Sequence, residues 1–133
     1  MEEQKKSRLT NRVIFSQPIY NAKEKIKKID SAKIFVLPSK SEAMPQSLIE
    51  AMARKKIVIA SNNPGNKELI RDRKTGYLFK TGDEMNLARK IDEALNKKRE
   101  LMKNKARKSV ERFSWIRTIK KIKNLITPQD KSV

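Results

Sequence analysis

Two carboxylates, Glu42 and Glu50, lie in the stretch of the sequence best suited to chemistry. Glu42 falls in a predicted loop, and Glu50 falls on a helix predicted over residues 46–54, which has strong helix formers and no glycine. At about 100° per residue, Glu50 faces away from the apolar arc of that helix. The pair therefore flanks a helix N-terminus, where N–H groups and the helix dipole favour a bound phosphate. Carboxylates around such a site suit a ligand that carries both hydroxyls and phosphate.

The elements that must position this pair alternate between strands and helices. Continuous apolar runs at Ile34–Leu37 and at residues 57–60 predict parallel strands that are buried on both faces. Shorter strands are predicted at residues 13–15 and at Tyr77–Phe79. Helices are predicted over residues 2–8, 22–29, 46–54 and 67–72, with another that starts at residues 81–83 and carries Leu87, Ile91 and Leu95. In the helix over residues 22–29, Ile26 and Ile29 are expected to point inward. This alternation predicts an α/β domain.

Composition limits the chemistry that the chain can perform. Its 133 residues include no cysteine and no histidine, which excludes a zinc site or a catalytic dyad built on either residue, and we expect no metal. With three glycines, it has neither of the glycine-rich phosphate-binding loop motifs. The N-terminus does not have the composition of a signal peptide, and no apolar run has the roughly 18 residues that a membrane span needs. We therefore expect a cytoplasmic protein.

The order of several short motifs resembles the C-terminal, donor-binding half of the retaining group 1 glycosyltransferases of GT-B fold. The E-x7-E pair follows an "IFVLPS" strand and runs into E-A-M-A and a "VIAS" strand. Further similar motifs are D-S-A-K-I-F at residues 30–35, G-x-x-E at 65–68, T-G at 75–76 and F-S-W at 113–115. The resemblance spans about residues 9–126. It implies a Rossmann-like parallel sheet of about four strands, in an incomplete domain over residues 1–126 with a loose tail at 127–133.

The resemblance also implies a reaction and a role for each site residue. The reaction is transfer of a hexosyl unit, with retention, from a nucleotide diphosphate sugar that serves as donor substrate, without a cofactor. Glu42, the catalytic residue, would contact hydroxyls of the transferred sugar, and Glu50 would contact the ribose. The diphosphate would be bound by amides of the intervening loop. Where the family often has E-G-F-G, this chain has Pro45, which lacks an N–H; the donor-binding residues are then Glu42, Ala43, Met44, Gln46, Ser47 and Glu50.

The net positive charge of the chain leaves partners other than a nucleotide sugar possible. The chain has a net charge of +18, which indicates attraction to an anionic partner. A basic amphipathic helix is predicted with Trp115, Ile119, Ile122 and Ile126 near one face, so it would pack on the core or lie peripherally on the acidic inner surface of a membrane. Non-specific binding of nucleic acid is disfavoured, because the aromatic residues form no stacking cluster.

The competing function is that of a non-catalytic nucleotide- or partner-binding module, such as half of a split enzyme or a remnant. In the family that the chain resembles, six strands lie in the order 3-2-1-4-5-6, and no counterpart of the first two is found here. We therefore expect either that residues 13–15 pair with Ile34–Leu37, or that the edge of Ile34–Leu37 binds a second copy or a separate N-terminal half.

Overall fold

A computed structural model describes residues 11–97 and 99–113 of the chain. Within them, three short strands alternate with helices, and a single 3-10 turn, Glu111–Phe113, follows the last helix. The strands are β1 (Ile34–Leu37), β2 (Ile57–Ser61) and β3 (Tyr77–Phe79). The helices are α1 (Ala22–Ser31), α2 (Gln46–Ala53), α3 (Pro64–Leu69), α4 (Glu84–Leu95) and α5 (Glu100–Val110). No helix of the described residues is long and apolar enough to cross a membrane.

The strands form one parallel sheet in the order β1-β2-β3. Ile34 pairs with Ile57 between the first two strands, and Ile59 pairs with Tyr77 between the second and the third. The central strand, β2, is buried along its whole length, whereas all four residues of β1 are half-buried. Because every strand runs in the same direction, the loops that follow β1 and β2 meet at one edge of the sheet.

The core lies on both faces of this sheet because side chains alternate along β2. Val58 and Ala60 face one way, in a cluster that includes residues of α1, α2 and α5. Ile57 and Ile59 face the other way and pack with Tyr77, Phe79 and residues of α4 and α5. The parallel α/β architecture predicted from the sequence is therefore confirmed, as are the three strands from Ile34 onward.

Side-chain caps fix the starts of three helices. Asn21 accepts from two amides of α1, Asn63 from the amide of Asn66 in α3, and Asp83 from the amide of Asn86 in α4. Each cap satisfies an amide that the helix cannot bond internally. The prediction that a helix starts at residues 81–83 is confirmed by the Asp83 cap.

Three predictions about local structure are wrong. Residues 13–15 form no strand, and Ile14 and Phe15 are exposed, because no neighbouring strand is available to them in the described part of the chain. Ile26 is exposed rather than inward, so that α1 contributes only Ile29 to the buried core. The third helix begins three residues earlier than predicted, because Asn63 caps it and Pro64 takes its first position. The helices predicted at residues 2–8 and around Trp115 lie outside the described residues.

Candidate functional site

Two loops at the carboxyl edge of the sheet are joined by buried polar groups. The hydroxyl of Ser61, at the end of β2, donates to the carbonyl of Ser39, which follows β1. The side-chain amide of Asn63 donates to the same carbonyl at 3.1 Å. The side chain of Asn66 is fully buried and donates to the carbonyl of Ser61 at 2.9 Å. The first two bonds join the loops and are partly buried, so they fix the position of one loop relative to the other.

Glu42 is held on this scaffold by its side chain and by its backbone. Its carboxylate accepts a hydrogen bond of 2.7 Å from the hydroxyl of Ser39. Its carbonyl lies against Gly65 so closely that a Cβ on Gly65 would be 2.0 Å from the oxygen. Only a glycine permits this approach, because the contact is with backbone rather than with a flexible side chain. The half-buried Glu42 therefore has a defined position before any ligand binds.

The helix after Glu42 begins without a side-chain cap. Pro45 precedes α2 and has no side chain that can accept a hydrogen bond, while its carbonyl accepts from the amides of Leu48 and Ile49. In the described part of the chain, the amides of Met44, Gln46 and Ser47 donate to no protein group. Such amides at a helix N-terminus are suited to binding an anion. Met44 and Gln46 are exposed, Ala43 beside them is exposed, and Ser47 is half-buried.

Glu50 lies on the same helix but in a different environment. Its carboxylate forms an ion pair of 2.8 Å with the ammonium of Lys25 from α1, and both side chains are close to 40% exposed. Gln46 and Glu50 line one cleft, of about 420 Å³, together with residues of α5 and the 3-10 turn. Glu42 is not among the residues that line this cleft. The structure thus places Glu50 away from the core, as the helical periodicity predicts, and in a cleft that Glu42 does not line.

Two residues of the G-x-x-E motif differ in their relation to the site. Gly65 contacts the backbone of Glu42, whereas Glu68 lines a different cleft, together with Arg71 and Lys105. No sequence motif pointed to Ser39, Ser61 or Asn66. A signal was present for the two serines, because each follows the apolar part of a predicted parallel strand and the ends of such strands meet at one edge.

The fold and this edge define a class of protein: a Rossmann-like α/β domain whose loops, at the carboxyl ends of parallel strands, offer amides and carboxylates to a ligand. The family model described as "Glycosyl transferases group 1" matches residues 1–109. This chain therefore belongs to the group 1 glycosyl transferases.

Individual relatives agree with this assignment. The chain is 32% identical over 99 residues to the sulfoquinovosyl transferase SQD2 of Arabidopsis thaliana, a match that covers 71% of this chain and 19% of SQD2. Sucrose-phosphate synthase from Thermosynechococcus elongatus superposes with a TM-score of 0.85 at 26% identity, over 93% of this chain and 32% of that one. The C-terminal domain of the group 1 family protein LpcC from Francisella tularensis has a TM-score of 0.73 at 26% identity, over 82% of this chain and 57% of that one.

These matches also show how much of each relative this chain covers. The chain spans 19% to 30% of the length of the curated relatives that it matches. The match to a domain crystallised as the C-terminal part of a glycosyl transferase agrees with the prediction that this chain corresponds to the C-terminal portion of a GT-B enzyme.

Proposed function

We propose that this domain binds a nucleotide diphosphate sugar and supplies the donor site for transfer of its hexosyl unit with retention. The observation that carries the proposal is the set of uncapped amides at the start of α2 beside the fixed carboxylate of Glu42. Because the chain belongs to the glycosyl transferase family, we interpret these groups as a binding site for a nucleotide diphosphate sugar.

Each group has a separate task in the proposed site. The amides of Met44, Gln46 and Ser47 bind the diphosphate, whose charge increases at the leaving oxygen as the bond to the sugar breaks. The amides of Gln46 and Ser47 are already fixed by the helix, so they stabilise that charge without reorganising. Glu42 binds hydroxyls of the sugar and orients it, because Ser39 and Gly65 hold it in place. Glu50 releases its surface ion pair with Lys25 and binds the ribose hydroxyls instead.

Titration calorimetry with a panel of nucleotide diphosphate sugars tests the site. Glu42→Ala and Glu50→Ala should each weaken binding by about tenfold, which corresponds to the loss of about 1.4 kcal/mol from hydrogen bonds to a charged group. Glu84→Ala is the control, because Glu84 is an exposed carboxylate in the first turn of another helix. If nucleotide diphosphate sugars bind and neither of the first two substitutions changes the affinity, the assigned site is wrong.

A second candidate function is donor binding without transfer by this chain alone, with a partner seated on β1. It is favoured by the half-buried side chains of β1, which has no other strand beside it on its outer edge among the described residues. An uncovered edge strand presents backbone groups that can pair with another chain. Sedimentation measures self-association of the chain. Self-association that is lost in Val36→Pro would support an interface at the outer edge of β1. A monomer that transfers sugar alone would exclude this second function.

A further inference from the structure

The edge of the sheet opposite the proposed donor site has two basic clefts, one on each side of α5. The first, of about 630 Å³, includes Thr75, which precedes β3. The second, of about 340 Å³, includes Lys33 and Lys56, which precede β1 and β2. Because the strands are parallel, residues that precede them lie at the amino edge, away from Glu42 and Ser61.

Positive charge dominates both clefts. The described residues that line the first include five cations and one carboxylate, Glu68: the cations are Arg71, Lys74, Lys105, Lys108 and Arg112. Those that line the second include six cations and no carboxylate: Lys33, Lys55, Lys56, Lys97, Arg99 and Lys103. The carboxyl edge is different, since its loops carry the carboxylates of Glu42, Asp83 and Glu84 as well as the cations of Lys40 and Lys80. The charge distribution therefore orients the domain, with its amino edge toward an anionic partner.

Most of these cations are not engaged by other residues in the described part of the chain. Lys56 donates to two backbone carbonyls, Lys103 pairs with Glu100, Arg99 donates to the carbonyl of Glu93, and Arg112 lies over the ring of Phe113. The other seven side chains have no hydrogen-bond or ion-pair partner among residues 11–97 and 99–113: Lys33, Lys55, Arg71, Lys74, Lys97, Lys105 and Lys108. Neutralising them would therefore remove no ion pair that the described residues form.

Two exposed leucines accompany this charge. Leu101 is 68% exposed and shares a helical face with Lys105 and Lys108, because residues four and seven positions later lie on the same side of a helix. Leu95 is 54% exposed and lines the second cleft. Apolar side chains among lysines fit the boundary between lipid headgroups and acyl chains. They are unsuited to the phosphate backbone of a nucleic acid, and neither cleft has an aromatic side chain among its described lining residues to stack on a base.

We propose that the amino edge of this domain docks on a membrane surface rich in anionic lipid headgroups. The two clefts accept headgroup phosphates, and Leu95 and Leu101 reach the boundary with the acyl chains. Separate recesses divided by a helix suit several small headgroups better than one continuous polyanion. In this orientation the carboxyl edge, with Glu42, faces the aqueous side, so the docking surface does not depend on the function proposed for the donor site.

Co-sedimentation of the full chain with vesicles tests the proposal. We expect binding to phosphatidylcholine vesicles that contain phosphatidylglycerol, none to phosphatidylcholine alone, and weaker binding as salt rises. The double substitution Lys105→Glu/Lys108→Glu should reduce affinity by more than about thirtyfold, because each cation near the surface contributes about 1 kcal/mol and the substitution also reverses both charges. Lys105→Gln/Lys108→Gln, which preserves helix propensity, is a second variant and should lose about thirtyfold.

The matched control is Lys23→Glu/Lys80→Glu, which changes the net charge equally at two exposed positions outside the clefts. It should reduce affinity by less than about threefold, because it lies away from the docked surface. Leu101→Ser should weaken vesicle binding further without altering the salt dependence. The proposal is overturned by failure to bind anionic vesicles, by equal losses in the two glutamate double variants, or by tighter binding to RNA at equal phosphate concentration.

Discussion

The Cα of Gly65 packs against the carbonyl of Glu42 so closely that a Cβ there would lie 2.0 Å from the oxygen and 2.7 Å from the carbon. Glu42 is on the loop after β1, and Gly65 is in the first turn of α3, which follows β2. This contact therefore aligns the loops of two neighbouring strands at the edge where the donor is proposed to bind.

Gly65→Ala should destabilise the domain and displace Glu42. Relieving the overlap requires a backbone shift, which we expect to cost about 1–3 kcal/mol or more. Gly82→Ala is the control: Gly82 has φ +80, but a Cβ added there would meet nothing within 4 Å, so this substitution should cost only about 1 kcal/mol of backbone strain. Urea unfolding of both variants measures the difference, and equal losses would show that the contact with Glu42 is not tight.

Asn63→Ala should cost more stability than Asn21→Ala, although both residues cap helices. Each loses a cap that contributes about 1 kcal/mol. Asn63 is also buried and donates to the carbonyl of Ser39, so its removal leaves that loop less firmly held, at a further cost of about 1 kcal/mol. Thermal unfolding separates the two variants. If both melt at the same temperature, the bond to Ser39 does not stabilise the site.

Tyr77→Phe should leave the stability unchanged or raise it by about 1 kcal/mol. The hydroxyl of Tyr77 is buried and has no hydrogen-bond partner among the described residues, and burial raises its pKa. The ring packs in the core beside Lys90 and Arg99, with the cations 5.9 and 5.8 Å from its centroid, and phenylalanine keeps those contacts. Tyr77→Ala, which loses the ring, should cost about 3–5 kcal/mol. A clear loss of stability in Tyr77→Phe would show that the hydroxyl is bonded.

Asp30 should titrate below its ordinary pKa because the guanidinium of Arg54 donates to its carboxylate, with Nε 2.9 Å from Oδ1. A carboxyl whose pKa is lowered by folding contributes stability at neutral pH, and that contribution is lost as the pH falls through the folded-state pKa. Arg54→Gln should therefore raise the titration midpoint of Asp30, measured by NMR of the side-chain carboxyl.

Arg73→Gln provides the reciprocal control for this titration. Arg73 donates to Glu93 and lowers its pKa in the same way, so this substitution should move the midpoint of Glu93 and leave that of Asp30 unchanged. A shift of Asp30 in the Arg73 variant would mean that long-range charge, rather than the bond from Arg54, sets its pKa.

The sequence by itself determined the elements that depend on local pattern. Continuous apolar runs identified Ile34–Leu37 and Tyr77–Phe79, and the helix formers after Pro45 identified α2 with Glu50 away from the core. The Asn-Pro pair at residues 63–64 was also a local signal for the start of α3, but its meaning as a cap was missed. The order of motifs, together with these elements, was sufficient to indicate the family.

Only the tertiary structure decided features that depend on distant neighbours. Residues 13–15 are as apolar as a strand, yet a strand needs a partner for its backbone groups, and none adjoins them in the described chain. The need for glycine at position 65 comes from Glu42, more than twenty residues earlier, and no spacing rule reveals it. Likewise the net charge of +18 can be counted along the chain, but folding gathers eleven of the cations into two clefts opposite the donor edge. The physical reason is that parallel strands place the residues before them at one edge of the sheet and the residues after them at the other.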